Sequence, residues 1–469
     1  MSRLGKAKAR RVLEILRGGT PPPPDCIHHL TVGREKETEY LKEVLVQASR
    51  GNPRTVFVRG EYGAGKSHIL ALMQGLALSS GFVTATVVLN SREQPLHRLH
   101  ALYRRIATSL VLPDGPTTVG SMFSTCAASM LEKHRKDVHM RCRHGMRFFE
   151  CSNFCLGQHL LDEFFPSLKK QQSGLSYALK LLVWATSRRD PELQEIIQLW
   201  LNGESLTRRD LARMHSGQAA GQVCLPPSLT DSDVMGALAA LSELVGLMGI
   251  NGLSVVLDEA EIIPAMGKGQ EVFQAYLNLS RIVQVPFTGK GGKVAFTYAT
   301  TPTFYHDIEK NFFEPLRRTG KMEQAADWLE ENLHGSTMEL AKLPDPDLLR
   351  WLRVVAALQW EAEEAVLGDD DWEKLEGYAL ELLETVSRSR SVTPRQYIVE
   401  WCRYLSSDRL SPPEWSGKSR PLPPGGPRMT KAEKEMRQFV CPICGKEFKG
   451  ANGLNHHRTA AWCKPIQAR

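Results

Sequence analysis

Apolar positions along the 469-residue chain follow two rhythms. Short, nearly unbroken apolar runs occur at residues 55–59, 81–89, 252–258 and 293–300. Runs of that length, rich in Val and bounded by Gly or polar residues, predict strands buried on both faces of a parallel sheet. Between them the apolar residues recur at helical spacing, over 35–49, 68–77, 95–110, 173–185, 191–201, 232–248 and 344–388. A first short helix gathers Leu4, Val12, Leu13, Ile15 and Leu16 on one face and reads as a docking helix. Strands that alternate with helices predict an α/β fold. Residues 113–230 do not continue the alternation and read as a mostly helical insertion.

The glycines change this picture most. Between the first strand and the second helix stands Gly60-Glu-Tyr-Gly63-Ala64-Gly65-Lys66-Ser67-His68, a G-x-x-x-x-G-K-S spacing in the strand–loop–helix context that a phosphate-binding loop requires. Glycines permit the tight turn and bring backbone N–H groups close to phosphate. Lys66 is placed for the β- and γ-phosphates, and the Ser67 hydroxyl for Mg2+. The helix N-terminus adds its partial positive charge. The run 252–257 ends in Asp258-Glu259. Acids there fall at the C-terminal end of a strand, where open α/β sheets bind ligands. Asp258 suits the Mg2+ hydration shell and Glu259 the attacking water. The fold class expected is therefore an α/β P-loop NTPase that uses ATP and Mg2+.

Charge and cysteine count add a second theme. The net charge of +7 sits in the tail: residues 409–469 hold twelve Lys/Arg and four Asp/Glu, leaving 47 against 48 elsewhere. Such a tail suits an anionic partner such as nucleic acid, or is a solvated segment. The longest apolar run, residues 69–78, is too short to span a bilayer and is broken by Gln74 and Gly75. Residues 1–17 are basic without a secretory apolar region, so the expectation is a cytoplasmic protein with no membrane partner. The ten cysteines are unevenly spaced, which favours a metal site over a disulfide framework. Cys142, His144, Cys151, Cys155 and His159 crowd the insertion; they fit either a metal site or ordinary core positions.

Residues 411–428, rich in Pro, Ser and Gly, read as a linker. After it come Cys441-Pro-Ile-Cys444, Phe448, Leu454, His457 and Cys463, the spacing of a ββα zinc finger with Cys in place of the final His. Phe448 and Leu454 supply the small core, and Leu454 sets the register for His457 over His456. Zn2+ on Cys441, Cys444, His457 and Cys463 supplies most of the folding energy of so short a unit. The positions that read bases in such fingers hold Gly450, Asn452, Gly453 and His456, two of them glycine. Phosphate contact by Lys446, Lys449 and Arg458, or binding of a protein, are the two uses left open.

Several segments resemble known ATPases. Val32-Gly33-Arg34-Glu35, about thirty residues before the glycine loop, resembles the segment that packs near adenine in AAA+ ATPases of the origin-recognition type and in STAND ATPases. That resemblance puts Val32, Gly33 and Arg34 beside the base. It further implies a sensor 1 at Thr300 or Thr301, a sensor 2 at Arg395 in Thr393-Pro-Arg, and an arginine finger at Arg317 or Arg318. Taken in order, the segment at Leu13–Gly19, VGRE, GEYGAGKSH, Trp200-Leu-Asn-Gly-Glu204, GLSVVLDEAE and TPRQYI resemble the ATP-binding proteins of bacterial phage-exclusion (BREX-type) defence systems. The resemblance covers residues 4–405; the C-terminal addition departs from it.

The organisation expected is an N-terminal helix and Pro-rich linker (1–25), an AAA+-like core (26–325) carrying the insertion (113–230), a helical lid (326–410), a linker (411–438) and a C2HC finger (439–469). The function implied is an ATPase of an anti-phage defence or DNA-transaction complex. Its partners would be other defence-system proteins, DNA through the tail and finger, and further copies of itself. A STAND-type ATP-gated switch and a non-hydrolysing, nucleotide-bound scaffold that recruits partners through the finger are the alternatives.

Overall fold

The apolar runs do become the middle of a sheet. The computed structural model describes residues 4–90, 96–134, 141–147, 155–166, 174–215, 225–259, 262–263, 269–284, 292–318, 323–364, 367–388, 394–406, 439–440 and 447–448. Seven strands form one sheet: β1 Arg54–Arg59, β2 Val83–Val88, β3 Leu110–Leu112, β4 Gly115–Thr117, β5 Leu253–Asp258, β6 Val294–Thr300 and β7 Thr337–Glu339. Their order is β4-β3-β2-β5-β6-β1-β7. β2, β5, β6, β1 and β7 run parallel, and β3 and β4 pair antiparallel at one edge. The register places Arg59 opposite Thr300 and Val88 opposite Asp258, so the carboxyl ends of the central strands finish together.

The central strands are buried on both faces because helices cover both. On one side the helices Glu35–Ser49 and Lys66–Ser79 pack Leu41, Leu45, Ile69 and Met73 against Val56, Val58 and Val256. On the other, Leu99–Thr108, Val234–Leu247 and Gly269–Gln284 pack against Val255, Leu257 and Phe296. Gly75 marks a close approach: a Cβ there would lie 2.3 Å from the Pro24 carbonyl oxygen, so the proline linker can lie on the helix Lys66–Ser79.

The insertion is mostly helical where it is described, through Val119–Lys133, Cys155–Phe164, Gly174–Arg188, Pro191–Leu201 and Arg208–His215. Trp200-Leu-Asn-Gly-Glu204 bolts it to the sheet layer. Buried Trp200 donates to the Pro226 carbonyl, Tyr103 donates to the Leu201 carbonyl at 2.7 Å, Asn202 accepts from the Gly120 N–H at 2.7 Å, and Glu204 pairs with Arg104.

The N-terminal helix Lys6–Arg17 docks on the C-terminal helices Asp345–Ala362 and Pro394–Ser406, which share an apolar cluster with the helix Asp369–Arg388. Ala9, Val12, Leu13 and Leu16 are buried against Trp351, Val355 and Trp401. The three larger aliphatics contribute roughly 5–8 kcal/mol of gross burial. Ile15, expected on that face, is half-buried, and Ala9 takes the place in the stripe.

Two boundaries differ from expectation. The core does not stop at 325: β7 pairs with β1, and the C-terminal helices begin at Asp345. Two half-buried residues and one exposed, Thr-Met-Glu, give no apolar run to signal such a strand. Likewise β4 falls inside 113–230 yet belongs to the sheet, joined to β3 by a two-residue turn at Pro113-Asp114. The chain divides into two units, Met1–Ser407 and Asp408–Arg469. In the second, the described residues form an antiparallel ribbon that pairs Phe439 with Phe448 and Val440 with Glu447. No helix among the described residues is long and apolar enough to cross a membrane.

Candidate functional site

Three chain segments meet where the central strands end. Residues 60–65 turn from β1 into the helix Lys66–Ser79, with Gly63 at φ +82° and Gly65 at φ +95°, values that an L side chain resists. The Gly60 N–H donates to the Thr300 carbonyl, which fastens the loop's first residue to β6. Lys66 is buried, and its ammonium donates to the carbonyls of Gly60 (3.1 Å) and Glu61 (3.3 Å). The Ser67 hydroxyl donates to Asp258 Oδ2 at 3.2 Å, so residues 191 apart in sequence come together. Asp258 Oδ1 accepts the Glu259 N–H at 2.9 Å, and Glu259 sits exposed with φ +60°. A hydroxyl and a carboxylate side by side are hard oxygen donors of the kind Mg2+ takes.

The residues expected beside the base are placed in detail. Arg34 is only 6% exposed. Its guanidinium donates to the Ala64 carbonyl (3.0 Å) and the Ala341 carbonyl (2.7 Å), and pairs with Glu37 at 2.9 Å. It therefore braces the glycine loop against the segment leaving β7. A peptide is planar and trans, so its C=O and N–H point in opposite directions. Holding the Ala64 carbonyl outward on Arg34 aims the Gly65 N–H inward over the loop. Val32 is buried in the apolar cluster of the C-terminal helices. Gly33 has φ +67°, and a Cβ on it would come within 2.6 Å of the Asp347 carboxyl carbon. Asp347 belongs to the helix Asp345–Ala362, so only glycine lets that helix start lie here.

His68 Nε2 lies 3.0 Å from the Thr31 hydroxyl, whose proton goes to the Ile27 carbonyl at 2.9 Å. The hydroxyl then accepts, which places a proton on Nε2 of His68. Burial, with the Arg34 charge, pushes its pKa down to about 4.

The strand end of β6 separates the two sensor candidates. Thr300 is fully buried and donates to the Val58 carbonyl at 3.3 Å, inside the sheet. Thr301 is half-exposed, with its hydroxyl 2.7 Å from that of Thr303. The two arginines also part. Arg317 is held by Glu309 (2.7 Å), Asp327 (3.1 Å) and Glu330, with its guanidinium near the Phe313 ring. Those carboxylates raise its pKa further. Arg318 has a side chain 78% exposed and meets Glu314 at 2.9 Å, one turn back. Arg395 is in the first turn of the helix Pro394–Ser406, its side chain outside the described residues. Cys441, Cys444, His457 and Cys463 also lie outside them.

Four residues at this end were given no role by the sequence. Arg59, the last residue of β1, pairs with Glu339 at 3.0 Å and stacks over Tyr305 with its guanidinium 4.6 Å from the ring centre. These contacts lock β7 beside the glycine loop. Tyr62, inside the loop, is 76% exposed. Its place among the motif's variable positions is where sequence reasoning would look for a contact to a base or a partner.

A glycine loop, a hydroxyl and a strand-end carboxylate at the carboxyl edge of a parallel sheet are consistent with an α/β NTPase-like fold. The family described as BREX system ATP-binding protein BrxC/D matches residues 4–411, and the chain belongs to that family. Family membership makes it an ATP-binding component of a phage-defence system. Comparison with curated proteins and with solved structures gave no match.

Proposed function

We propose that the chain is an AAA+-like ATPase that hydrolyses ATP at the mouth formed by residues 60–67 and Asp258-Glu259. The observation that carries this reading is the Ser67–Asp258 contact of 3.2 Å, which joins the loop's hydroxyl to the strand-end acid. The backbone N–H groups of residues 63–67 receive the phosphates, helped by the helix N-terminus. Lys66 exchanges its bonds to the Gly60 and Glu61 carbonyls for phosphate oxygens. Ser67 and Asp258 hold Mg2+, which neutralises charge on the phosphate oxygens when bound. Glu259, exposed and one residue further, accepts a proton from the attacking water. Thr301, rather than the buried Thr300, is the sensor at the β6 end. Arg318, rather than the saturated Arg317, reaches a neighbouring copy's site as the arginine finger. The basic tail and a C2HC finger carry the contact to DNA.

The test is ATP turnover with and without double-stranded DNA, on wild type, Glu259→Gln and a chain ending at Ser411. Turnover stimulated by DNA, lost with Glu259→Gln and unstimulated after truncation, is the expected result. Tight ATP binding with no turnover in any condition would sink the hydrolase reading and leave an ATP-gated switch or scaffold.

A further inference from the structure

The insertion brings three soft ligands together away from the nucleotide site. Residues 141–147 form a small hairpin: Arg141 bridges to Arg147, and the Cys142 N–H donates to the Met146 carbonyl at 2.8 Å. Its turn closes through the Gly145 N–H to the Cys142 carbonyl at 2.8 Å, with Gly145 at φ +76°. That turn carries His144 back over Cys142. Cys155, the first residue of the helix Cys155–Phe164, arrives from the other side. Cys142 Sγ, His144 Nδ1 and Cys155 Sγ all lie within 4.8 Å of one another. His144 Nδ1 is 3.7 Å from Cys142 Sγ and 3.3 Å from Cys155 Sγ.

We propose that Cys142, His144 and Cys155 bind a zinc ion that staples the 141–147 hairpin to the start of the helix Cys155–Phe164. A tetrahedral site with Zn–S near 2.3 Å and Zn–N near 2.05 Å requires S···N edges of roughly 3.6 Å and S···S edges of roughly 3.8 Å. The observed nitrogen–sulfur separations, 3.3 and 3.7 Å, bracket that edge. The His144 backbone N–H also donates to Cys142 Sγ at 3.4 Å, the kind of outer bond that steadies a metal-bound thiolate. Ordinary core packing does not explain the group, because His144 is exposed while Cys142 is buried. Two thiolates and a neutral imidazole suit zinc over hard cations such as Mg2+ or Ca2+. Arg141, Arg143 and Arg147 surround the pair in sequence with positive charge, which suits thiolate ligands. The role is structural: the ion closes a short loop and ties the 141–147 hairpin to the start of the helix Cys155–Phe164. The fourth position takes water or a further donor; Cys151 lies outside the described residues and is not counted.

Zinc per chain, measured by inductively coupled plasma mass spectrometry on reduced full-length protein, tests the site separately from the tail. The Cys441→Ser/Cys444→Ser protein should retain one zinc, and adding Cys142→Ser/Cys155→Ser should remove it. Wild type should hold one zinc more than the Cys441→Ser/Cys444→Ser protein if the finger is also loaded, so failure of either site shows by itself. Because Cys142 is buried, His144→Gln in the tail variant is the second arm. It should keep the thermal unfolding profile of the zinc-stripped parent and bind Co2+ at least ten-fold more weakly, by loss of the tetrahedral d–d absorption. A tail variant isolated without zinc that takes up no Co2+ would overturn the proposal. So would a Cys142–Cys155 disulfide found in freshly isolated protein by non-reducing peptide mapping.

Discussion

Replacing Arg34 with Ala separates a brace from a base contact. The guanidinium is nearly buried and serves two backbone carbonyls and the half-buried Glu37 carboxylate. Removing it leaves a carboxylate without its partner and two acceptors short of a charged donor. Breaking a buried pair of this kind costs about 3–5 kcal/mol. Unfolding entropy near 2.1 cal/mol/K per residue, over the unit Met1–Ser407, is roughly 0.85 kcal/mol/K. A loss of about 4 kcal/mol therefore lowers Tm by about 5 °C. Arg34→Lys should recover only part of this, since Nη2 alone serves both carbonyls while Nη1 holds Glu37, and a single ammonium lacks that second arm of the planar fork. Nucleotide affinity falls too, because the Ala64–Gly65 peptide is no longer held with its N–H inward; loss of one aligned donor is worth about ten-fold. The assay is thermal unfolding of the nucleotide-free protein, followed by ATP titration of the same samples. A side chain whose role is to touch adenine would leave the nucleotide-free Tm unchanged and lower affinity alone. That result would refute the brace.

His68 gives a pH signature. Its folded pKa of about 4 lies below the ordinary 6.5, so its share of stability is full above pH 6.5 and is lost as pH falls toward 4. At pH 5 the loss is about 2 kcal/mol, and His68→Gln should flatten denaturant midpoints between pH 8 and pH 5; parallel losses in both proteins would refute the assignment. Arg317→Ala should lower Tm and leave basal turnover of dilute protein intact, whereas Arg318→Ala should leave Tm unchanged. If Arg318 acts across a subunit contact, its removal lowers turnover by about a thousand-fold, and only at protein concentrations where wild type self-associates. Equal Tm losses for the two variants would show that Arg317 is not a clamp. Gly33→Ala forces a side chain into φ +67° against Asp347 and should cost about 2 kcal/mol or more. Hydrogen exchange should then quicken at the start of the helix Asp345–Ala362, and unchanged exchange there would contradict the contact.

What could be read beforehand follows from how local each signal is. β1, β2, β5 and β6 announce themselves because a strand buried on both faces must be apolar throughout, and the glycine loop because its backbone needs positive φ at Gly63 and Gly65. β7 and β4 lie at the sheet's two edges, where Thr337-Met-Glu and Gly115-Pro-Thr need no apolar run. Ser67 and Asp258 could be paired by motif alone. The separation of Thr300 from Thr301 could not, since it depends on where the strand ends: Thr300 is the last residue of β6 and Thr301 already the N-cap of the helix Pro302–Ile308. Arg317 and Arg318 were indistinguishable for a related reason: the carboxylates that saturate Arg317 include Asp327 and Glu330, on the helix Glu323–Gly335 beyond it. Arg34 was visible as part of a segment, but its acceptors are main-chain carbonyls at 64 and 341, which no side-chain pattern encodes.

Residues 31–34 give these parts a common mechanical meaning. Thr31 holds His68 on the helix that follows the glycine loop. Val32 enters the apolar cluster of the C-terminal helices, and Gly33 abuts Asp347 at the start of the first of them. Arg34 bonds at once to the loop and to the strand-to-helix connection at Ala341. Arg59 and Glu339 clamp the adjoining strand ends, so the connection cannot shift independently of β1. The N-terminal helix adds its own stripe to the same apolar cluster, which makes the C-terminal helices part of a layer tied to the chain's start. A ligand that draws the Lys66 ammonium off the Gly60 and Glu61 carbonyls changes the loop that Arg34 supports. The start of the helix Asp345–Ala362 is placed to register that change, because residues 31–34 touch both the loop and that helix. Conversely, a partner that pulls on the C-terminal helices acts on the Ala64 carbonyl through the same arginine. Under the proposed function, nucleotide at the loop and the position of these helices would bias each other through this one short segment, as linkage between two sites requires.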